Sequence, residues 1–294
     1  MNILRSILFI PADKENMINK IDALCPDAFI LDLEDSVSEE NKEIARINIS
    51  NKLNSLVNQK KIIFVRVNDI ESNHVYKDIE STINNKIEGY MIPKFESINQ
   101  LKRVSEFILK KEKELNIQQK IKLMLMIESP KGVIELRKLS LIEDEINTRI
   151  KVLVIGAEDY LLNLSVFGDI SEDMVDYIRR EIIIQAKAME CLAIDTVYRD
   201  FKNNQGLKKE LEKIKAMGFN GKLAIHPVQI DIINSVFTPA DEEIEKMMII
   251  LKHEEDFKRL GAINIDGVMY DPPHLKWAKK LKNYIDFIEN KGKE

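Results

Sequence analysis

Leu123-Met124-Leu125-Met126-Ile127-Glu128 is a short apolar run closed by a carboxylate, and Val152-Leu153-Val154-Ile155-Gly156-Ala157-Glu158-Asp159 repeats the arrangement further along the chain. Runs this brief and this continuously apolar read as strands buried on both faces, the kind found in parallel sheets. A carboxylate at such a strand's exit is badly placed for packing and well placed for a hard cation. Working outward, comparable runs occupy residues 4–10, 28–33, 62–67, 89–92, 193–197 and 223–225, which with 123–127 and 152–155 makes eight. Longer charged segments of helical period fill the intervals. One, about residues 39–57, carries Ile44, Ile47, Leu53 and Leu56 as its apolar positions; in another, Ser97 caps a helix bearing Leu101, Val104, Phe107 and Ile108. Eight βα units over about 235 residues predict a closed α/β barrel of the (β/α)8 TIM type, with a doubly wound open sheet as the alternative that periodicity alone leaves open.

Composition bounds the rest. A chain of 294 residues buries a sizeable core unaided, and 44 basic against 49 acidic residues give a net charge of −5, which excludes a broad attraction for nucleic acid. Cys25 and Cys191 stand far apart without metal-ligand spacing, so a disulfide framework is not expected and a reducing cytoplasm is. No apolar run approaches the roughly 20 residues needed to cross a bilayer, and the first residues lack the layout of a signal peptide.

In a (β/α)8 barrel the chemistry sits just after the strands. Polar residues collect there: Asp32-Leu33-Glu34-Asp35 after the second strand, Arg66-Val67-Asn68-Asp69 after the third, Pro93-Lys94 after the fourth, then Glu128-Ser129, Glu158-Asp159, Asp195 and His226-Pro227. Together they predict one anionic pocket holding a cation. The barrel is expected to occupy residues 1–238. Residues 239–294 break the repeat: helix, then a hairpin through Asp266-Gly267, then a final helix after Asp271-Pro272-Pro273, a segment suited to cap a barrel mouth, its own or a neighbour's.

The motifs Arg5-Ser6-Ile7-Leu8-Phe9-Ile10-Pro11, Leu31-Asp32-Leu33-Glu34-Asp35-Ser36-Val37, Val65-Arg66-Val67-Asn68, Ile92-Pro93-Lys94, Ile127-Glu128-Ser129, Gly156-Ala157-Glu158-Asp159-Tyr160, Asp195-Thr196-Val197-Tyr198, Ile225-His226-Pro227 and Gly267-Val268-Met269-Tyr270-Asp271 follow one another along nearly the whole chain. In that order they resemble the citrate lyase β-subunit-like branch of the HpcH/HpaI aldolase superfamily, which includes malyl-CoA and citramalyl-CoA lyases. The resemblance implies a Mg²⁺-dependent carbon–carbon lyase that splits a 3-hydroxy-3-carboxyacyl thioester of malyl, citramalyl or citryl type into a 2-oxo acid and an acyl thioester. It implies Glu128 and Asp159 as metal ligands, with Glu128 also touching substrate, Arg66 as the cation at the enolate oxygen, and Asp271 as the acid or base at the enolate carbon. The base for the substrate hydroxyl stays open between Glu34 and Asp35. Phe9, Lys14, Lys20, Ile225 and His226 are implied for the carrier, coenzyme A or an acyl carrier protein. In relatives the C-terminal segment reaches an adjacent subunit, which implies a homo-oligomer, a trimer or hexamer, or a place in a citrate lyase complex. Pro11-Ala12-Asp13 departs from the family's Pro-Gly-Asn at the loop after the first strand, which leaves the carrier open.

Each assignment has a structural competitor. Glu128 and Asp159 would otherwise pair with rim lysines, Arg66 would neutralise Asp32 or Glu34, Asp271 would initiate a turn before proline, His226 would be a satisfied rim histidine, and Lys14 and Lys20 would be a solvated helix face. Among other functions, a 4-hydroxy-2-oxo acid aldolase of this superfamily uses a histidine after the second strand, where this chain has Asp32-Leu33-Glu34-Asp35 and none. A thioester hydrolase using the same pocket, and a carrier-binding subunit without turnover, are the other two.

Overall fold

The computed structural model describes residues 3–56, 61–142, 145–165, 172–265 and 267–292. Eight parallel strands close on themselves in chain order: β1 Ser6–Pro11, β2 Ala28–Asp32, β3 Ile62–Arg66, β4 Gly89–Ile92, β5 Lys122–Ile127, β6 Ile150–Ile155, β7 Leu192–Asp195 and β8 Gly221–Ala224, with β8 pairing back onto β1. This is the (β/α)8 barrel, and closure rules out the open sheet.

Alternation along each strand sorts the side chains. Ile7, Ala28, Ile30, Phe64, Met91, Met124, Met126, Val152, Val154, Ile194 and Leu223 form one buried cluster drawn from all eight strands, which is the barrel's interior. Their neighbours of opposite parity, among them Phe29, Leu31, Leu123, Leu125 and Leu153, are buried toward the surrounding helices. Continuing the inward parity to the last residues of the strands and just beyond selects Asp32, Glu34, Arg66, Glu128, Gly156 and Thr196. That is how the interior hands over from apolar packing to chemistry.

Ser97 caps its helix, Ile98–Glu114, by accepting from the Gln100 N–H. The helix after β2 runs Lys42–Ser55, preceded by a 3₁₀ turn at Glu39–Asn41; Val57 of the expected helix lies outside the described residues. Leu53 and Leu56 are buried as expected, but Ile44 and Ile47 are exposed, and Ala45, Arg46, Ile49 and Lys52 complete the inner face. The cations tolerate burial because they are satisfied: Arg46 Nε donates to the fully buried Asp78 at 2.8 Å, and Lys52 Nζ reaches Asp22 at 2.6 Å.

One compact unit spans Leu4–Ser235, and the chain from Val236 onward forms another. The second has helices Asp241–Lys252 and Glu254–Leu260, an antiparallel pair β9 Ile263–Ile265 and β10 Val268–Tyr270, and the helix Pro272–Gly292. Met247, Ile250, Phe257, Ile263 and Ala278 make its core. The hairpin is the one expected; Gly267 takes φ 84°, open to glycine without strain, and Asp266 lies outside the described residues. No helix among the described residues is long and apolar enough to cross a membrane.

Candidate active site

Register builds the first half of the site. Asp32 on β2 is aligned with Arg66 on β3, so the two inward side chains meet side by side. Arg66 donates from Nε and Nη2 to the two Asp32 oxygens, both at 2.6 Å, a bidentate pair. Burial pushes against ionising Asp32, yet Arg66, Ser36 and the Glu34 N–H hold its carboxyl below the usual range. The guanidinium also lies over the Phe9 ring, 4.9 Å from its centroid. Glu34 sits beyond, its oxygens shut off from solvent and meeting Arg66 Nη1 at 2.9 Å and Lys94 Nζ at 2.8 Å as ion pairs, out of line for good hydrogen bonds. Burial outweighs these cations and pushes Glu34 up to about 7.

The second half comes from β5 and β6, where Ile127 is aligned with Ile155 and Glu128 therefore falls beside Gly156. A Cβ at Gly156 would lie 2.4 Å from Glu128 Oε2, so only glycine leaves room for this carboxylate. Glu128 Oε1 accepts the Lys94 backbone N–H at 2.5 Å, presented by a left-handed turn at Lys94 with φ 47°. Burial, then the charge of Glu34 and that of Asp159, push Glu128 up to about 8. Asp159 lies in the first turn of the helix Ala157–Asn163, and Asn163 ties that helix to β5 by donating to the carbonyls of Asp159 and Glu128 at 2.9 and 3.2 Å. A cavity of about 300 Å³ opens between the halves, with Arg66, Glu128, Asp159, Phe9 and Ile225 among its walls. A second, of about 270 Å³, shares Glu128 and Asp159 and adds Lys94, Asp69 and Ser129.

The structure therefore brings Phe9, Arg66, Glu128, Asp159, Asp35 and Ile225 to one cavity. Glu34 stands just behind it. Lys14 is exposed and pairs with Asp13 at 2.6 Å, and Lys20 is exposed in a 3₁₀ turn; neither is in the wall. His226 is also outside it, stacked on Phe201 with centroids 4.6 Å apart. Asp271 belongs to the second unit, where its carboxylate meets His274 Nδ1 at 2.5 Å at the head of the last helix. Asp195 does not join the rim. It has outward parity, is fully buried, and binds Arg179 at 2.9 and 3.0 Å and Lys222 at 2.7 Å.

Two further residues belong to the site's construction. Lys42, buried on the helix after β2, donates from Nζ to the carbonyls of Leu33 and Glu34 at 2.7 and 2.8 Å and so fixes the loop that carries Glu34 and Asp35. Its place on the inward side of an amphipathic helix was the available signal, masked by the assumption that lysines face water. Gly156 was visible as a motif member, but its steric reason requires the register with Glu128.

Citramalyl-CoA lyase of Rattus norvegicus is 29% identical over 98% of this chain and 87% of its own length, and the citrate lyase β subunit of Haemophilus influenzae is 29% identical over 95% of this chain and 96% of its own. Among solved structures, CitE of Mycobacterium tuberculosis, in complex with magnesium, acetoacetate and coenzyme A, superposes with a TM-score of 0.73 at 24% identity, over 96% of this chain and 97% of that one. At that identity the likeness speaks for the fold. The model of the HpcH/HpaI aldolase/citrate lyase family matches residues 5–227, the whole span that carries the barrel and the two halves of its site, and the chain belongs to that family.

Proposed function

We propose that this protein is a magnesium-dependent carbon–carbon lyase that cleaves a 3-hydroxy-3-carboxyacyl thioester into a 2-oxo acid and an acyl thioester. The observation that carries this reading is Glu128: a buried carboxylate crowded by Glu34 and Asp159 at the barrel mouth and pushed up to about 8. Such a group is short of positive charge. Glu128 and Asp159 would hold a divalent cation, which would supply that charge. Among the described residues no group of three or more His, Cys, Asp or Glu is arranged for a metal; magnesium suits a two-carboxylate site because it keeps open positions for water and substrate. When bound, Mg²⁺ would act as Lewis acid and template for the substrate's hydroxyl and carboxylate oxygens.

The chain's own groups supply the rest. Asp35 lines the cavity and is the residue we assign to take the hydroxyl proton. Glu34, enclosed between Arg66 and Lys94, positions both. As the bond between the hydroxyl-bearing carbon and its neighbour breaks, its electron pair moves onto the thioester carbonyl as an enolate. The Arg66 N–H left over from Asp32, Glu34 and Asp35 is the donor we assign to that oxygen, worth about 3 kcal/mol for one preorganised donor. Held by Asp32 and by Phe9, the guanidinium pays little reorientation cost during the reaction. Asp271 then delivers a proton to the enolate carbon, from the C-terminal unit acting on a neighbouring chain's barrel in a homo-oligomer. The carrier is a coenzyme A thioester in this reading, with Ile225 at its entry and Lys14, Lys20 and His226 outside the cavity along its path. Free Cys25 and Cys191 support a cytoplasmic setting.

The test is to incubate the protein with malyl-, citramalyl- and citryl-CoA, with and without Mg²⁺, and assay the 2-oxo acid released. Mg²⁺-dependent release from at least one is expected. Release from none, or release that ignores Mg²⁺, contradicts the reading.

A further inference from the structure

Among the described residues, Lys94, Asn116, Ser165 and Glu190 take a positive φ without being glycine. Asn116, Ser165 and Glu190 each stand two residues past the end of a helix, Ile98–Glu114, Ala157–Asn163 and Glu172–Ala188, the ordinary place for a left-handed residue. Lys94, at φ 47°, stands instead two residues past strand β4, at the barrel mouth. Glycine would make that turn without strain. The turn therefore holds a lysine against the backbone's preference, and strain at such a place directs attention to what the side chain does there.

Both ends of Lys94 are engaged, and by opposite halves of the site. Its backbone N–H donates to Glu128 Oε1 at 2.5 Å. The other oxygen, Oε2, is the one crowded against Gly156, on the β6 side from which Asp159 comes. Its ammonium meets Glu34 Oε1 at 2.8 Å and Asp35 at 3.6 Å, so a single residue joins the β5–β6 half to the loop after β2. An ion pair between exposed groups would hold that loop weakly, but Glu34 is buried. The ammonium also lines the adjoining cavity together with Glu128 and Asp159, where its charge opposes any cation that those carboxylates attract.

Resting on the lyase reading, we propose that Lys94 is a positioning residue that clamps the two halves of the site together. The strained turn decides which Glu128 oxygen is left for the metal. The ammonium fixes the loop of Glu34 and Asp35, and with it the distance from that metal to the carboxylate assigned to take the hydroxyl proton. This gives the clamp a signature. The side chain that aligns the reacting groups also repels the cation, so its removal slows turnover and tightens metal binding. A lysine that only held the fold together would, when removed, loosen the site and weaken both.

Lys94→Met and Lys94→Gln remove the charge, and Lys94→Arg keeps it. Turnover is measured with whichever of malyl-, citramalyl- and citryl-CoA the unaltered protein cleaves best, Mg²⁺ affinity by calorimetry without thioester, and folding by urea unfolding. The folded charge-free variants are expected to lose about 10²-fold in kcat, the scale for misplacing a reacting group, while binding Mg²⁺ about fivefold more tightly. Lys94→Arg should regain at least about tenfold of the lost kcat, with Mg²⁺ affinity returned to that of the unaltered protein. An unchanged kcat in the charge-free variants, or a lower kcat accompanied by weaker Mg²⁺ binding, overturns the inference and leaves the lyase standing. Failure of the unaltered protein to cleave any of the three thioesters overturns both.

Discussion

Asp195 and Glu128 are both buried carboxylates at the ends of barrel strands, and they live under opposite electrostatics. Asp195 has outward parity and meets Arg179 and Lys222, which hold it below its ordinary range although burial opposes ionisation. Glu128 has inward parity, one backbone N–H at 2.5 Å, and two other acids nearby, and it is pushed up to about 8. Charge compensated inside the protein is structure. Charge left in excess at the mouth of the barrel is available for a ligand, because the fold has accepted a cost there that only binding relieves.

The contrast breaks most visibly in activity. Glu128→Gln keeps the shape and removes the charge; it is expected to lower Mg²⁺-dependent turnover by about 10³-fold or more, the scale for losing a ligand of the catalytic metal, while leaving metal-free stability unchanged or slightly raised. Asp195→Asn is expected to do the reverse. Removing the buried charge that Arg179 and Lys222 share, with Glu210 and Asp176 left as their remaining partners, costs about 3 kcal/mol in urea unfolding, with kcat of the folded protein close to normal. Substantial activity in Glu128→Gln would dissolve the distinction.

A smaller effect tests the proton donor. Asp271→Asn is expected to reduce kcat by about 10²-fold, the usual contribution of a positioned acid or base, with Mg²⁺ affinity unchanged. If Asp271 acts on a neighbouring barrel, mixing it with Arg66→Ala under subunit exchange restores part of the activity; no recovery places the action within one chain. Lys42→Met should cost less, about tenfold in kcat, because the loop holding Asp35 loosens without losing a reacting group. An unchanged kcat would make Lys42 purely structural.

The pH dependence follows from Glu128 at about 8 and Glu34 at about 7, both above the ordinary glutamate value of 4.5. With folded values raised, the metal-free protein has its full stability from these groups below pH 4.5 and loses it as pH rises toward 8. Mg²⁺ competes with the same protons, so its affinity should rise by up to about tenfold per pH unit until Glu128 is ionised. Thermal shifts caused by Mg²⁺ at pH 6 and pH 8.5 would check this; a larger shift at pH 6 is the contrary result.

Much of this was legible in the order of residues. Continuous apolar runs marked the strands, and their exits marked Glu128 and Asp159, because burial and charge conflict at the level of local sequence. What the runs did not settle was parity. Asp195 and Thr196 are adjacent, and a strand end misplaced by one residue exchanges a rim acid for a buried ion pair. The helix after β2 was misread for a related reason: hydrophobicity chose Ile44 and Ile47, whereas the buried side is held by Arg46 with Asp78 and by Lys42 with two carbonyls, partners that come from other elements. Gly156 likewise becomes intelligible only once β5 and β6 are in register.

Calorimetric titration of the intact protein with Mg²⁺ at pH 7, in two buffers of different ionisation enthalpy, tests the central claim most directly. Stoichiometric binding with release of about one proton, lost in Glu128→Gln, is the result expected from a buried carboxylate that stays largely protonated until the cation arrives. Equal Mg²⁺ binding by the variant, or binding without proton release, would contradict it.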